Sequence, residues 1–163
     1  MNPTTLRYPK SYEEFLTIVG ELIVEYSKAE MTGALLVNGI TRSKRGFEIY
    51  REISGSKEKI KNYIRAISQL HHPSSKVSIR IFEELNECRE ERNHIAHSLW
   101  MHYPKIGSQN IFYSASFDIN LKNYDINKVT IEKIKDSLDK IKRVSGDIAV
   151  EFGEVTVLKR KRL

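Results

Sequence analysis

Apolar residues at helical spacing dominate both ends of this chain. After Ser11, apolar side chains recur every three or four residues as far as Leu36, a period that places them on one face of an α-helix. Ser11 and Glu14 form a capping box where this segment begins, since each side chain can bond a free backbone donor. The same spacing returns from about Thr130 to Phe152. Two long amphipathic helices must bury their apolar faces, so a helical bundle is predicted.

Three further segments between these ends carry helical signals. A short helical turn is predicted from about Phe47 to Glu52, and a helix from Ser56 to Leu70 follows the Ser54-Gly55-Ser56 break. Pro73 interrupts the chain next, because proline disfavours helical geometry in the residue before it. Another helix is predicted from about Ser75 to Leu99. The total is four to five helices in an up-and-down arrangement.

The periodicity changes after the fourth helical segment. From Ile111 to Ile119, apolar residues alternate with Phe112, Ser114, Ser116 and Asp118, and a period of two is typical of a strand with one buried face. The segment 100–105 can pair with it across residues 106–110. The predicted fold is therefore mainly α, with a small β-hairpin after the fourth helical segment.

Length and charge limit the organisation and the partners. At 163 residues, the chain suits one domain spanning 1–163, with a core at about 11–152 and a basic tail at 153–163. The net charge of +6 and the pI near 9.3 favour an anionic partner such as nucleic acid. The basic run from Lys159 to Arg162 admits three interpretations: a phosphate-binding arm, a nuclear localisation signal or a solvated end.

The sequence also indicates a compartment. No stretch approaches the roughly 20 apolar residues of a membrane span, and Met1 to Lys10 lacks the apolar core of a secretory signal. The single cysteine, Cys88, cannot form an internal disulfide. These features predict a cytoplasmic protein without a membrane partner.

The segment from Arg92 to His97 concentrates chemical groups that act on phosphodiesters. Arginine can grip a phosphate through two parallel hydrogen bonds, and histidine exchanges protons near neutral pH. Arg92 falls within an apolar stripe of the predicted helix, so its charge requires a partner. An acidic side chain, helix-end carbonyls, an opposing subunit and a bound phosphate are the candidates. The other members of the stripe are Val77, Ile81, Leu85, Cys88, Ile95 and Leu99.

The remaining residues of this segment lie on other faces of an ideal helix. Asn93 and His97 are four residues apart and share a face, so the amide can orient the imidazole or fix its tautomer. His94 lies farther round the helix, beside Glu87 and Glu90, and is expected to flank the others.

Arg92-Asn93-x-x-x-His97 resembles the signature of HEPN domains, in which a polar residue follows an arginine and a histidine comes four to six residues later. This resemblance implies a helical bundle that forms a homodimer and brings two motifs into one cleft. It implies a metal-independent endoribonuclease that needs no cofactor, acts on RNA by 2′-hydroxyl attack, and serves as a toxin or phage-defence effector. An antitoxin or other regulatory protein is then a further partner.

The same resemblance assigns roles to individual residues. His97 would transfer protons, Arg92 would hold the phosphate, and Asn93 would position His97. Three residues beside the motif are expected to contact the substrate: His94, His102 and Tyr103.

Several alternatives stay open. Some HEPN-like proteins are non-catalytic nucleotide- or partner-binding dimerisation modules; Arg92 would then pair with an acid from another helix, and His97 would bond a carbonyl. Glu91-x-x-His94 has the spacing of a di-iron ligand pair, but the chain has no second copy, so no metal site is predicted. Arg42, Lys44 and Arg45 form a solvated loop or follow a phosphate backbone.

Overall fold

The computed structural model describes the backbone of residues 10–97, 99–106, 109–118 and 123–160, and the side chains of residues 12–96 and 130–157. The described chain is mainly helical, which confirms the predicted helical bundle. Its helices and strands follow in this order: α1 (Lys10–Thr41), α2 (Arg45–Glu52), α3 (Ser56–Ser68), α4 (Ser75–His97), β1 (Leu99–Ile106), β2 (Gln109–Asp118), β3 (Asn123–Val129) and α5 (Ile131–Arg160).

The two long terminal helices form the centre of the bundle. Ion pairs join Glu14 to Lys135 and Glu21 to Lys142, so residue numbers rise together along α1 and α5 and the two helices run parallel. The buried residues come from all five helices, and the largest fully buried side chains are Tyr26, Tyr63, Phe15, Phe82, Leu22, Leu36, Ile60, Ile67, Leu85, Ile134 and Ile141. A single core therefore shields the apolar faces of the described helices.

The first helix continues through Gly33 without a break. A Cβ atom at this position would lie 2.8 Å from Cε1 of Phe82, closer than two carbon atoms can pack. The missing side chain at Gly33 lets the ring of Phe82 lie against α1, so this glycine serves helix packing.

The segment between α4 and α5 forms a three-stranded antiparallel sheet in the order β1-β2-β3. Leu99 pairs with Ala115 at one end of β1 and Ile106 with Gln109 at the other, with an irregularity between Tyr103 and Ile106. Strand β3 runs antiparallel to β2 and was not predicted. The predicted two-stranded hairpin is therefore too small. The sequence of β3, NYDINKV, alternates polar and apolar residues over too short a stretch to indicate a strand.

The last helix is longer than predicted. The sequence placed a tail at 153–163, whereas α5 continues to Arg160. Val155 explains the extension, because it is buried and its Cγ1 lies close to Gly39 of α1. Burial of this apolar side chain stabilises the last turns of the helix. In an isolated chain end, the same residues would form a helix only marginally. Residues 161–163 lie outside the described residues. No described helix is both long and apolar enough to cross a membrane.

Candidate functional site

Arg92 lies on α4 between α1 and α3. Its Cζ is 4.6 Å from the centroid of the Tyr26 ring, a distance at which a guanidinium is attracted to an aromatic face. Its Nη2 donates a hydrogen bond of 3.2 Å to Oγ of Ser56, the first residue of α3. Its Nε is buried without a hydrogen-bond partner. The Tyr26 ring and the Ser56 hydroxyl therefore hold the guanidinium, and its buried Nε is left without a hydrogen-bond partner.

The surrounding face of α4 explains why this arginine turns inward. Ile81, Leu85, Cys88 and Ile95 are buried against the chain's own helices, and Arg92 shares their stripe. A second subunit is therefore unnecessary to cover these residues. Val77 is exposed at the start of the stripe. The Leu99 side chain lies outside the described residues.

The charge of Arg92 has no carboxylate partner within 4.0 Å among the described side chains. Glu30, a nearby buried acid, forms an ion pair of 3.6 Å with Lys59. Glu91 binds Lys140 at 2.9 Å. The described side chains therefore supply no acid to Arg92. Arg92 remains a partly buried cation whose charge no described carboxylate neutralises.

Next to Arg92 is a buried polar cluster that the sequence analysis missed: Tyr26, Glu30 and Tyr63. Within the described structure, no hydrogen bond reaches the Tyr63 hydroxyl or one carboxylate oxygen of Glu30, and the Tyr26 hydroxyl lies beside that of Ser56. Burial raises the pKa of Tyr26 well above its usual range, Glu30 acts in the same direction, and Arg92 opposes them. Burial followed by Glu30 likewise raises the pKa of Tyr63.

The cluster offers Arg92 no unpaired negative charge. Its two tyrosines are uncharged, and Glu30 forms an ion pair with Lys59. Both tyrosines are protonated at physiological pH, and their raised pKa values keep them neutral far into the alkaline range, so neither supplies a negative charge to Arg92. A sequence signal existed for the cluster. Glu30 follows Tyr26 by four residues, and an acid on the buried face of a helix requires a partner.

His94 faces a different side of α4 from Arg92. The side chain of Asn93 is partly buried and makes no hydrogen bond with the described residues. His94 is exposed and lines a groove of about 500 Å³ between α4 and α5. Glu91 and Lys140 line the same groove. Arg92 and His94 thus face different sides of α4, as the helical spacing predicted.

The remaining predicted site residues have described backbones only. His97 is the last residue of α4, and His102 and Tyr103 belong to β1, which begins two residues later. The side chains of these three residues lie outside the described residues. No group of three or more His, Cys, Asp or Glu side chains in the described regions is arranged to hold a metal ion.

Cys88 lies one helical turn before Arg92 and is fully buried. Burial raises the pKa of its thiol to about 11. Because only the thiolate reacts, a rise of about two pKa units is expected to slow alkylation at neutral pH on the order of a hundredfold relative to an exposed cysteine. Mass spectrometry after timed iodoacetamide treatment, with urea-unfolded protein as the control, measures this. Equal rates in the folded and unfolded protein would contradict the burial of this side chain.

The chain matches no protein-family model, no curated protein and no solved structure.

Proposed function

We propose that this protein is a metal-independent endoribonuclease of the HEPN type, with a composite active site at a homodimer interface. The observation that carries the proposal is the state of Arg92. A partly buried guanidinium with one hydrogen bond and no carboxylate partner among the described residues suits the phosphate of an RNA strand. Tyr26 and Ser56 hold this cation in place before the substrate arrives, which favours electrostatic stabilisation of a transition state.

The proposed reaction is a transesterification within the RNA strand. His97 accepts the proton of the 2′-hydroxyl as its oxygen forms a bond to the adjacent phosphorus. The bond from phosphorus to the 5′-oxygen breaks, and a second imidazole gives a proton to that oxygen. The products are a 2′,3′-cyclic phosphate and a 5′-hydroxyl. Arg92 binds the non-bridging oxygens, whose negative charge grows in the transition state, and Asn93 orients His97.

The need for two proton-transfer groups leads to the homodimer. One motif supplies His97 as its proton-transfer group, so the proposal assigns the second imidazole to His97 of another copy of the chain. Because Ile81, Leu85, Cys88 and Ile95 of the apolar stripe are buried within each chain, contact between copies would have to involve other surfaces. A cytoplasmic toxin or phage-defence effector, controlled by an antitoxin or another regulatory protein, would use such an activity.

Cleavage of labelled RNA in EDTA tests the proposal. The unmodified protein is expected to leave 2′,3′-cyclic phosphate ends, and His97→Ala is expected to lower the rate by about 10²- to 10⁴-fold because proton transfer is lost. The control is His71→Ala, which removes an exposed loop histidine and should keep full activity. Equal activity of the two variants would contradict the assignment of His97.

The same two proteins test the composite site. If both copies of His97 are needed, replacing part of the protein with His97→Ala at constant total concentration, and allowing the subunits to exchange, should lower activity as the square of the unmodified fraction. A linear fall, or a strict monomer by light scattering at micromolar concentration, would contradict a shared site. If several RNAs remain uncut by the unmodified protein, the alternative is supported, namely a non-catalytic nucleotide- or partner-binding dimerisation module.

A further inference from the structure

The exposed face of α3 carries a row of positive charges. Lys57, Lys61 and Arg65 are each four residues apart and all exposed. Residues at this spacing lie one above another on a helix, roughly 6 Å apart. Lys61 pairs with Glu58 at 2.8 Å, but both side chains are more than half exposed, and such a pair contributes little stability. Lys57 and Arg65 make no ion pair among the described side chains.

This row ends at a polar groove of about 430 Å³ between α3 and the start of α2. Arg65 lines the groove from α3 and Arg45 lines it from α2, with Asn62 and Gln69 adding amide groups. The only described acid in its lining is Glu48, whose contact with Arg45 is 3.5 Å long. Two arginines at one polar groove favour an anionic occupant.

The loop that positions Arg45 is ordered by a chain of hydroxyl groups. Thr41 donates to the carbonyl of Val37 at 2.8 Å, so the hydroxyl of Ser43, 2.9 Å away, must donate to Thr41. Ser43 in turn accepts the backbone N–H of Arg45 at 3.1 Å. Arg42, within this loop, adopts a left-handed φ of 51°, which is costly for a residue with a side chain. Arg45, the first residue of α2, therefore follows a loop that its own hydrogen bonds hold in place.

The local charge balance points the same way. Residues 41–70 contain eight lysines and arginines but only three glutamates, so most of the net charge of +6 resides in this segment. A polyanion with regularly spaced charges suits a row of cations better than a single small anion does. The row also begins beside the candidate site, because Lys57 follows Ser56, the hydroxyl that Arg92 contacts.

We propose that Lys57, Lys61, Arg65 and Arg45, here termed the α3 track, bind the sugar-phosphate backbone of single-stranded RNA. The groove between Arg45 and Arg65 holds one phosphate. Arg65 lies nine residues beyond Ser56, or about 13 Å along the helix axis, so a few nucleotides separate this phosphate from the one at Arg92. The choice of RNA as the polyanion rests on the proposed function, whereas the cationic track itself does not.

Fluorescence anisotropy with a labelled single-stranded RNA tests the track. All proteins carry His97→Ala to prevent cleavage, and Arg45→Gln is combined with Arg65→Gln to remove two contacts. The dissociation constant is expected to rise about tenfold, and the slope of log affinity against log salt to fall by about 1.4, or about 0.7 for each lost phosphate contact.

A matched variant separates the track from total charge. Lys142→Gln with Arg143→Gln removes two exposed charges from α5 and should change affinity less than twofold. Equal weakening by the two double variants, or no weakening by either, would overturn the proposal. Thermal unfolding confirms that each variant is folded. Binding is measured here without catalysis. If RNA binds through the α3 track but the unmodified protein never cuts it, only the proposed function is contradicted.

Discussion

Replacing Arg92 with methionine should lower RNA cleavage by at least about a hundredfold, the typical loss when one transition-state donor is removed. The free energy of unfolding should change by less than about 1 kcal/mol. Methionine retains an unbranched side chain that can pack on Tyr26, and it removes a charge that has one hydrogen bond and a free Nε. Exchanging a poorly compensated buried charge for an apolar group is often neutral or stabilising.

Arg89→Met is the matched control for this prediction. Arg89 lies three residues earlier on α4 and is also largely buried, but it bonds Asn86 and pairs with Glu90 at 2.8 Å. Its replacement should retain cleavage, while the lost hydrogen bonds lower stability by about 1 kcal/mol. Urea unfolding and the RNA assay on both variants give the comparison. A severely destabilised but fully active Arg92→Met protein would show that Arg92 has a structural role only.

Gly46→Ala should lower the free energy of unfolding by about 3 kcal/mol or more, because the new side chain meets backbone. A Cβ atom at Gly46 would lie 2.0 Å from the carbonyl oxygen of Ala34. Neither backbone can yield without moving α2 away from α1. That movement would break the 2.7 Å hydrogen bond from Gly46 N–H to Asn38 Oδ1 and expose Ile49.

Gly20→Ala, in α1, is expected to raise the free energy of unfolding. Gly20 is exposed in α1, and nothing lies within 4 Å of its would-be Cβ. Alanine there should stabilise the protein by about 0.5–1 kcal/mol, because it is the better helix former. Urea unfolding of both variants measures the difference. A Gly46→Ala protein as stable as the unmodified protein would contradict the close approach of α2 to α1 at Gly46.

The helices were predictable because their apolar periodicity is local. The predicted starts at Ser56 and Ser75 match the first residues of α3 and α4, where serine or a break in the pattern marks the boundary. The end of α5 was not predictable in this way, since it depends on contact between Val155 and Gly39. Strand β3 was missed for a related reason, because its pairing with β2 involves residues elsewhere in the chain.

The sequence by itself determined that Arg92 lies on an apolar helical stripe and must have a partner, because helical geometry and the cost of burying a charge are local properties. Only the tertiary structure decided what that partner is. Tyr26 comes from α1 and Ser56 from α3, and no periodicity in α4 specifies which distant residues pack against it. The same holds for the α3 track. The sequence shows the four-residue spacing of Lys57, Lys61 and Arg65. The position of Arg45 at the groove depends on the packing of α2 beside α3.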